Sequence, residues 1–167
     1  FIVITITIAI VPANAAPSSK VRPAVCEVLP IAQLTNFRND SAIECDWAVP
    51  IAVANGVMTG GIASIRTDKR PKAYEAYKLA QQQLIDTFGA EEGVTISDQS
   101  GVVNCDQSRM VVIRKKGVPT WSHFTAWCDG QAIGYVTSGA QFSTDNASKF
   151  QQIVAILVGH SDMCPLV

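Results

Sequence analysis

Charge is scarce in this chain and nearly cancels: charged residues make up 16% of it, and the formal net charge is −1. Such a chain carries no electrostatic footprint for nucleic acid and no polybasic patch for an anionic membrane surface. Metal-ligand spacings are absent too. None of the cysteines at 26, 45, 105, 128 and 164 stands in a CxxC or CxxH arrangement, which argues against a zinc site. Asp98, Asp106 and Asp129 are separate acids of predicted loops, unlike the closely spaced series of a calcium loop. Gly56 to Gly61 reads GVMTGG and lacks the Lys and following Ser or Thr of a phosphate loop; a bulge or turn beside a strand explains it. Glu91 and Glu92 fall in a predicted turn, where solvation accounts for them. No cofactor and no metal is implied.

Long apolar runs are confined to one place. Phe1 to Val11 reads FIVITITIAIV, too short for a bilayer span of roughly 20 residues. Pro12 and the small-x-small pattern Ala13-Asn14-Ala15 follow, as signal peptidase requires. Residues 1–15 are therefore expected to be a signal peptide cleaved after Ala15. With neither an initiator Met nor a basic n-region, that leader is expected to be truncated at its start. The same Ile- and Thr-rich stretch would also suit a buried strand. No later segment is apolar for long enough to cross a membrane. The expected address is secreted, periplasmic or cell-envelope.

In an exported chain, widely spaced cysteines read as a disulfide framework. Five cysteines leave one over, and the sequence alone allows two bridges to be drawn in 15 ways.

Residues 16–25, with Pro, Ser and Lys, read as a tether, and 26–167 as a single domain with no internal repeat. Pro30 opens a predicted brief helix with Ile31, Leu34 and Phe37 on one face. From Ile43 to Val53 the odd positions are apolar, which predicts a half-buried strand, with an edge or break at Pro50. Asn55-Gly56 signals a hairpin into a second strand, Val57 to Arg66. Asp68 is placed to cap the next helix and Pro71 to start it. Its stripe is Ala73, Tyr77, Ala80, Leu84 and Phe88, and Gly89 ends it.

Gly101 to Ser138 predicts a meander: Arg109 to Lys115, a turn at Gly117, Thr120 to Cys128, a tight turn at Asp129-Gly130, and Gln131 to Ser138. This register sets Phe124 opposite Tyr135 and Ala126 opposite Ile133 on one face. His123, Thr125 and Trp127 go to the other. It also brings Cys105 within bridging reach of Cys128. The other short pairing is Cys26 with Cys45, which leaves Cys164 over. A last helix spans Thr144 to Val158, with Phe150, Ile153, Val154 and Leu157 inward. The predicted class is α+β: an antiparallel β-meander packed against two main helices and linked by disulfides.

Candidate functional residues are few. Ser122 precedes His123, but strand neighbours point to opposite faces and so form no nucleophile–base pair. His160-Ser161-Asp162 lies at a helix end, where the dipole accounts for a histidine. No catalytic residue is assigned. Trp47, Trp121, Trp127 and Tyr135, with Tyr74 and Tyr77, are enough aromatics to line a groove, and equally what a core requires. Asn39 and Asn146 begin Asn-x-Ser sequons; the first falls in a predicted loop, while the second opens a helix and is the poorer site.

Cys26-Glu27-Val28-Leu29-Pro30, with Leu34 beyond it, precedes Cys45-Asp46-Trp47. This resembles small actinobacterial exported lipoproteins and sensor-type domains, in which an early Cys–Leu segment comes before Cys-x-Trp and a helix, a β-meander and a closing helix follow. The likeness extends over the order of elements in the mature chain, but only these residues match in identity. No lipobox cysteine stands at the cleavage site, so lipid anchoring is not implied. The family is largely of unassigned function, and the resemblance implies fold and address. The function expected is a non-enzymatic exported domain that binds a partner protein or a small ligand. The alternatives are a secreted enzyme inhibitor or host-interacting effector, and a hydrolase using His123 as base.

Overall fold

A computed structural model describes residues 22–30, 32–54, 57–139 and 146–159. A short 3-10 turn, Ala24–Glu27, leads into strands β1 (Gln33–Asn39), β2 (Ile43–Ala54) and β3 (Val57–Asp68). Helix α1 (Pro71–Phe88) comes next, then β4 (Val94–Ser100), β5 (Gln107–Lys115), β6 (Trp121–Cys128), β7 (Gln131–Gly139) and helix α2 (Asn146–Val158). All seven strands join one sheet in the order β1-β2-β3-β7-β6-β5-β4, and every pairing is antiparallel. The fold of the described residues is thus α+β, with an antiparallel sheet, two helices and two disulfides.

Strand alternation divides the molecule into layers. One face of the sheet presents Cys45, Trp47, Ala63, Ile65, Phe124, Ala126, Ile133 and Tyr135 to the main core, which α2 and the 3-10 turn close. Phe150 of α2 sits 5.1 Å from the Phe124 ring and 6.4 Å from Tyr135. Each of these fully buried rings contributes about 2–3 kcal/mol through burial. Helix α1 lies on the opposite face, against β3, β5, β6 and β7. There Tyr77 packs over Gly134, which has no side chain to obstruct it. On this face β1 to β3 carry a charge lattice in which Arg38 and Arg66 share Glu44, and Arg66 also meets Asp46 at 2.8 Å.

The meander register is as expected: Phe124 pairs with Tyr135, Ala126 with Ile133, and Trp127 with Ala132. The tight turn is built from Asp129 (φ 49°) and Gly130 (φ 72°), both left-handed as a primed turn demands. Asn55 and Gly56 lie outside the described residues, but the flanking strands pair Ala54 with Val57. The β2–β3 register breaks between Val49 and Ala52, around Pro50. Gly60 and Gly61 form no turn; they run within β3, where a Cβ on Gly139 of β7 would collide with the Gly60 carbonyl.

Four expectations need correction. The segment after Pro30 forms β1, not a helix; Ile31 itself lies outside the described residues. A bulge between Leu34 and Asn36 explains the misreading, since the extra residue, Thr35, turns both Leu34 and Phe37 toward the core and mimics helical spacing. Asp98 is in a strand, β4, and not in a loop. Asp68 does not cap α1 directly: its carboxylate accepts the N–H of Arg70 at 2.8 Å, and Arg70 is the cap residue, with Pro71 starting the helix. Finally, Pro23 and Val25, assigned to the tether, are buried, because the 3-10 turn plugs the end of the core.

Candidate functional site

Both disulfides join the pairs that register and spacing suggest. Cys26 and Cys45 lie 5.5 Å apart between Cα atoms, and Cys105 and Cys128 lie 4.9 Å apart. The first ties the 3-10 turn to β2, and the indole N–H of Trp47 donates to the Cys26 carbonyl beside it at 3.2 Å. Cys164 lies outside the described residues, as do His160, Ser161 and Asp162.

The four proposed groove aromatics do not come together. Trp47 and Tyr135 are buried in the main core, because their strand positions face α2. The Tyr135 hydroxyl is sealed there with no hydrogen-bond partner, and burial raises its pKa. Trp121 and Trp127 share the α1 face but stand at opposite ends of β6, about 20 Å apart along the strand. Trp127 packs on Tyr74 with ring centroids 6.0 Å apart. Trp121 borders an open space.

That space is a cleft of about 360 Å³ between the second half of α1 and the sheet, lined by Ala80, Gln83, Leu84, Thr87, Phe88, Trp121, His123 and Val136. Its form follows from two periodicities. Ala80, Leu84 and Phe88 recur every fourth residue on one flank of the helix, while Trp121 and His123 are alternate residues of β6. Val136 is the cross-strand partner of His123. None of the eight lining side chains is charged.

His123 is 8% exposed, and its Nδ1 is buried without a hydrogen-bond partner. Burial alone lowers its pKa to about 4, so the imidazole is neutral at neutral pH. Asp98 is held by Arg109, whose Nε and Nη2 donate to it at 2.9 and 2.8 Å. That guanidinium lowers the Asp98 pKa. Asp106 sits in the loop before β5, and no hydrogen bond joins it to His123. Among the described residues no group of three or more His, Cys, Asp and Glu is placed to hold a metal ion.

Sequence reasoning missed Gln81, which is fully buried at the middle of α1. Its amide donates to the carbonyls of His123 at 2.8 Å and Arg109 at 3.2 Å, and accepts from the Thr125 hydroxyl at 3.0 Å. This anchors α1 to β5 and β6 directly beneath the cleft. The spacing Tyr74, Tyr77, Gln81, Leu84, Phe88 was the available signal, since it places a polar residue at the centre of an apolar stripe. Gln81→Leu is expected to cost about 2 kcal/mol in urea denaturation, because Thr125 loses its partner in a dry environment. Adding Thr125→Val should recover part of that loss, which a double-mutant cycle would measure.

Asn146, the second sequon asparagine, is buried and donates to the Ser122 and Thr137 hydroxyls, both at 3.2 Å. A glycan there would break this cluster. Asn39 ends β1 and is not in a loop. Among the described residues no helix is long and apolar enough to cross a membrane.

No family model, no curated protein and no solved structure matches this chain.

Proposed function

We propose that this is an exported domain that binds a small, largely apolar molecule in the cleft between α1 and the sheet. The observation that carries this reading is the imidazole of His123, nine-tenths buried and unpartnered at Nδ1, in the wall of an uncharged and mainly apolar cleft. Apolar clefts with one or a few placed polar groups are the common form of small-molecule sites, and a volume near 300 Å³ is at their lower limit. The neutral dye N-phenyl-1-naphthylamine is expected to bind the oxidised protein saturably, with transfer from Trp121 to the dye. Trp121→Ala should weaken binding about tenfold through loss of one aromatic contact. Absence of saturable binding, or an affinity indifferent to Trp121→Ala in a folded variant, overturns the reading.

Two features support export: a pair of disulfides, which persist in oxidising compartments, and the apolar segment ending in Ala13-Asn14-Ala15. N-terminal sequencing of protein recovered from a secreting host should begin at Ala16. A product retaining Phe1 to Val11 inside the cell would count against it.

A further inference from the structure

Resting on the reading that the cleft holds a small apolar molecule, we infer that its ligand is a neutral, flat molecule carrying a hydrogen-bond acceptor of the ketone type, to which the Nε2–H of His123 donates. The proton position follows from burial. A neutral imidazole has one N–H and one bare nitrogen. Nδ1 is sealed without a partner, and an orphaned buried N–H is rarer in folded proteins than an under-satisfied acceptor. The proton therefore belongs on Nε2. Of the two ring nitrogens only Nδ1 is sealed in this way, and the ring lines the cleft, so Nε2 is the donor left for an occupant. The strand partners of His123 are Val111 and Val136. Of the α1 residues lining the same cleft, Leu84 and Phe88 are apolar, and neither Gln83 nor Thr87 is hydrogen-bonded to the imidazole.

The rest of the lining sets the ligand's body. Phe88 and Trp121 offer ring surfaces, and Leu84, Ala80 and Val136 aliphatic ones, which suit a flat apolar molecule. A charged group would surrender hydration with no opposite charge among the lining residues. The His123 donor, fixed in the cleft wall by its strand, then discriminates between an apolar skeleton with an oxygen acceptor and the same skeleton without one.

The test uses three compounds of one shape, fluorene, 9-fluorenone and fluorene-9-carboxylate, titrated into the oxidised full chain. 9-Fluorenone is expected to bind about five- to tenfold more tightly than fluorene, the effect of one neutral hydrogen bond, and the carboxylate more weakly than either. In His123→Phe the ratio of fluorenone to fluorene affinity should fall to about one. Independently of any variant, ¹⁵N spectra of the labelled imidazole should show the proton on Nε2 and a shift of that nitrogen on adding fluorenone. Equal binding of fluorene and fluorenone, a ratio unchanged by His123→Phe, or an Nδ1-protonated ring overturns the inference while leaving an apolar cleft in place. Failure of all three compounds to bind removes the cleft reading with it.

Discussion

Replacing Cys26, Cys45, Cys105 and Cys128 together by alanine is expected to leave the chain unfolded at 37 °C. The bridges close loops spanning 19 and 23 residues. The chain-entropy account assigns about 3 kcal/mol to each, and domains of this size are stable by about 5–15 kcal/mol in total. Packing loss adds to this, because Cys26, Cys45 and Cys128 are all buried and alanine leaves voids where sulfur stood. Each single-bridge variant should still fold, with its melting temperature lowered by several degrees. Thermal denaturation followed by circular dichroism reads both outcomes. A cooperative melt in the four-alanine chain above 37 °C would show that the sheet holds without its staples.

The second large effect is acid sensitivity centred on His123. In the unfolded chain its imidazole takes a proton near pH 6.5, whereas burial holds the folded group down to about 4. Between those values the unfolded state binds more protons, so stability is fully present above pH 6.5 and falls as the pH is lowered toward 4. The difference corresponds to about 3 kcal/mol. No carboxylate rescues the imidazolium: its cleft neighbours Gln83, Leu84, Thr87, Phe88, Trp121 and Val136 are uncharged, as is its other strand partner, Val111. The carboxylates held low act in a lower window: Arg38 and Arg70 keep Asp40 and Asp68 at about 2. Urea denaturation across pH 4–7 should therefore show a slope in the wild type that His123→Phe largely removes. Parallel profiles in the two proteins would place the acid lability elsewhere.

Where periodicity was clean, the chain could be read directly. The β6–β7 register and the Cys105–Cys128 bridge followed from alternation and turn chemistry, because a buried face fixes register to the residue; the inward face of α2 followed from helical spacing, and Cys26–Cys45 from its short separation alone. Reading failed where local geometry departs from a pure period. The bulge at Thr35 gave Leu34 and Phe37 a three-residue spacing, which is the spacing of a helix. β4 carries only Val94 and Ile96 as apolar residues; paired on one side only, this edge strand shows little of the alternation that marks a strand. The cleft was not legible either. It combines a four-residue step on α1 with a two-residue step on β6 and a partner from β7, and no contiguous segment contains that combination. Trp47 and Tyr135 misled for a related reason: an aromatic's type says nothing of its sheet face until the register is known.

The junction of β3 with β7 bears on how the chain assembles. It sets Ile65 beside Tyr135, with α1 and three strands intervening in sequence, while the other pairings join consecutive strands. Hairpins close in microseconds, so two partial sheets, β1–β3 and β4–β7, form early. Their union waits on closure of the long loop between them, the kind of non-local step that slows β-rich proteins. Until it happens, β3 and β7 are open edges, and both offer unpaired backbone to other chains. The same line that completes the native sheet is therefore the one along which crowded, newly made molecules can join wrongly.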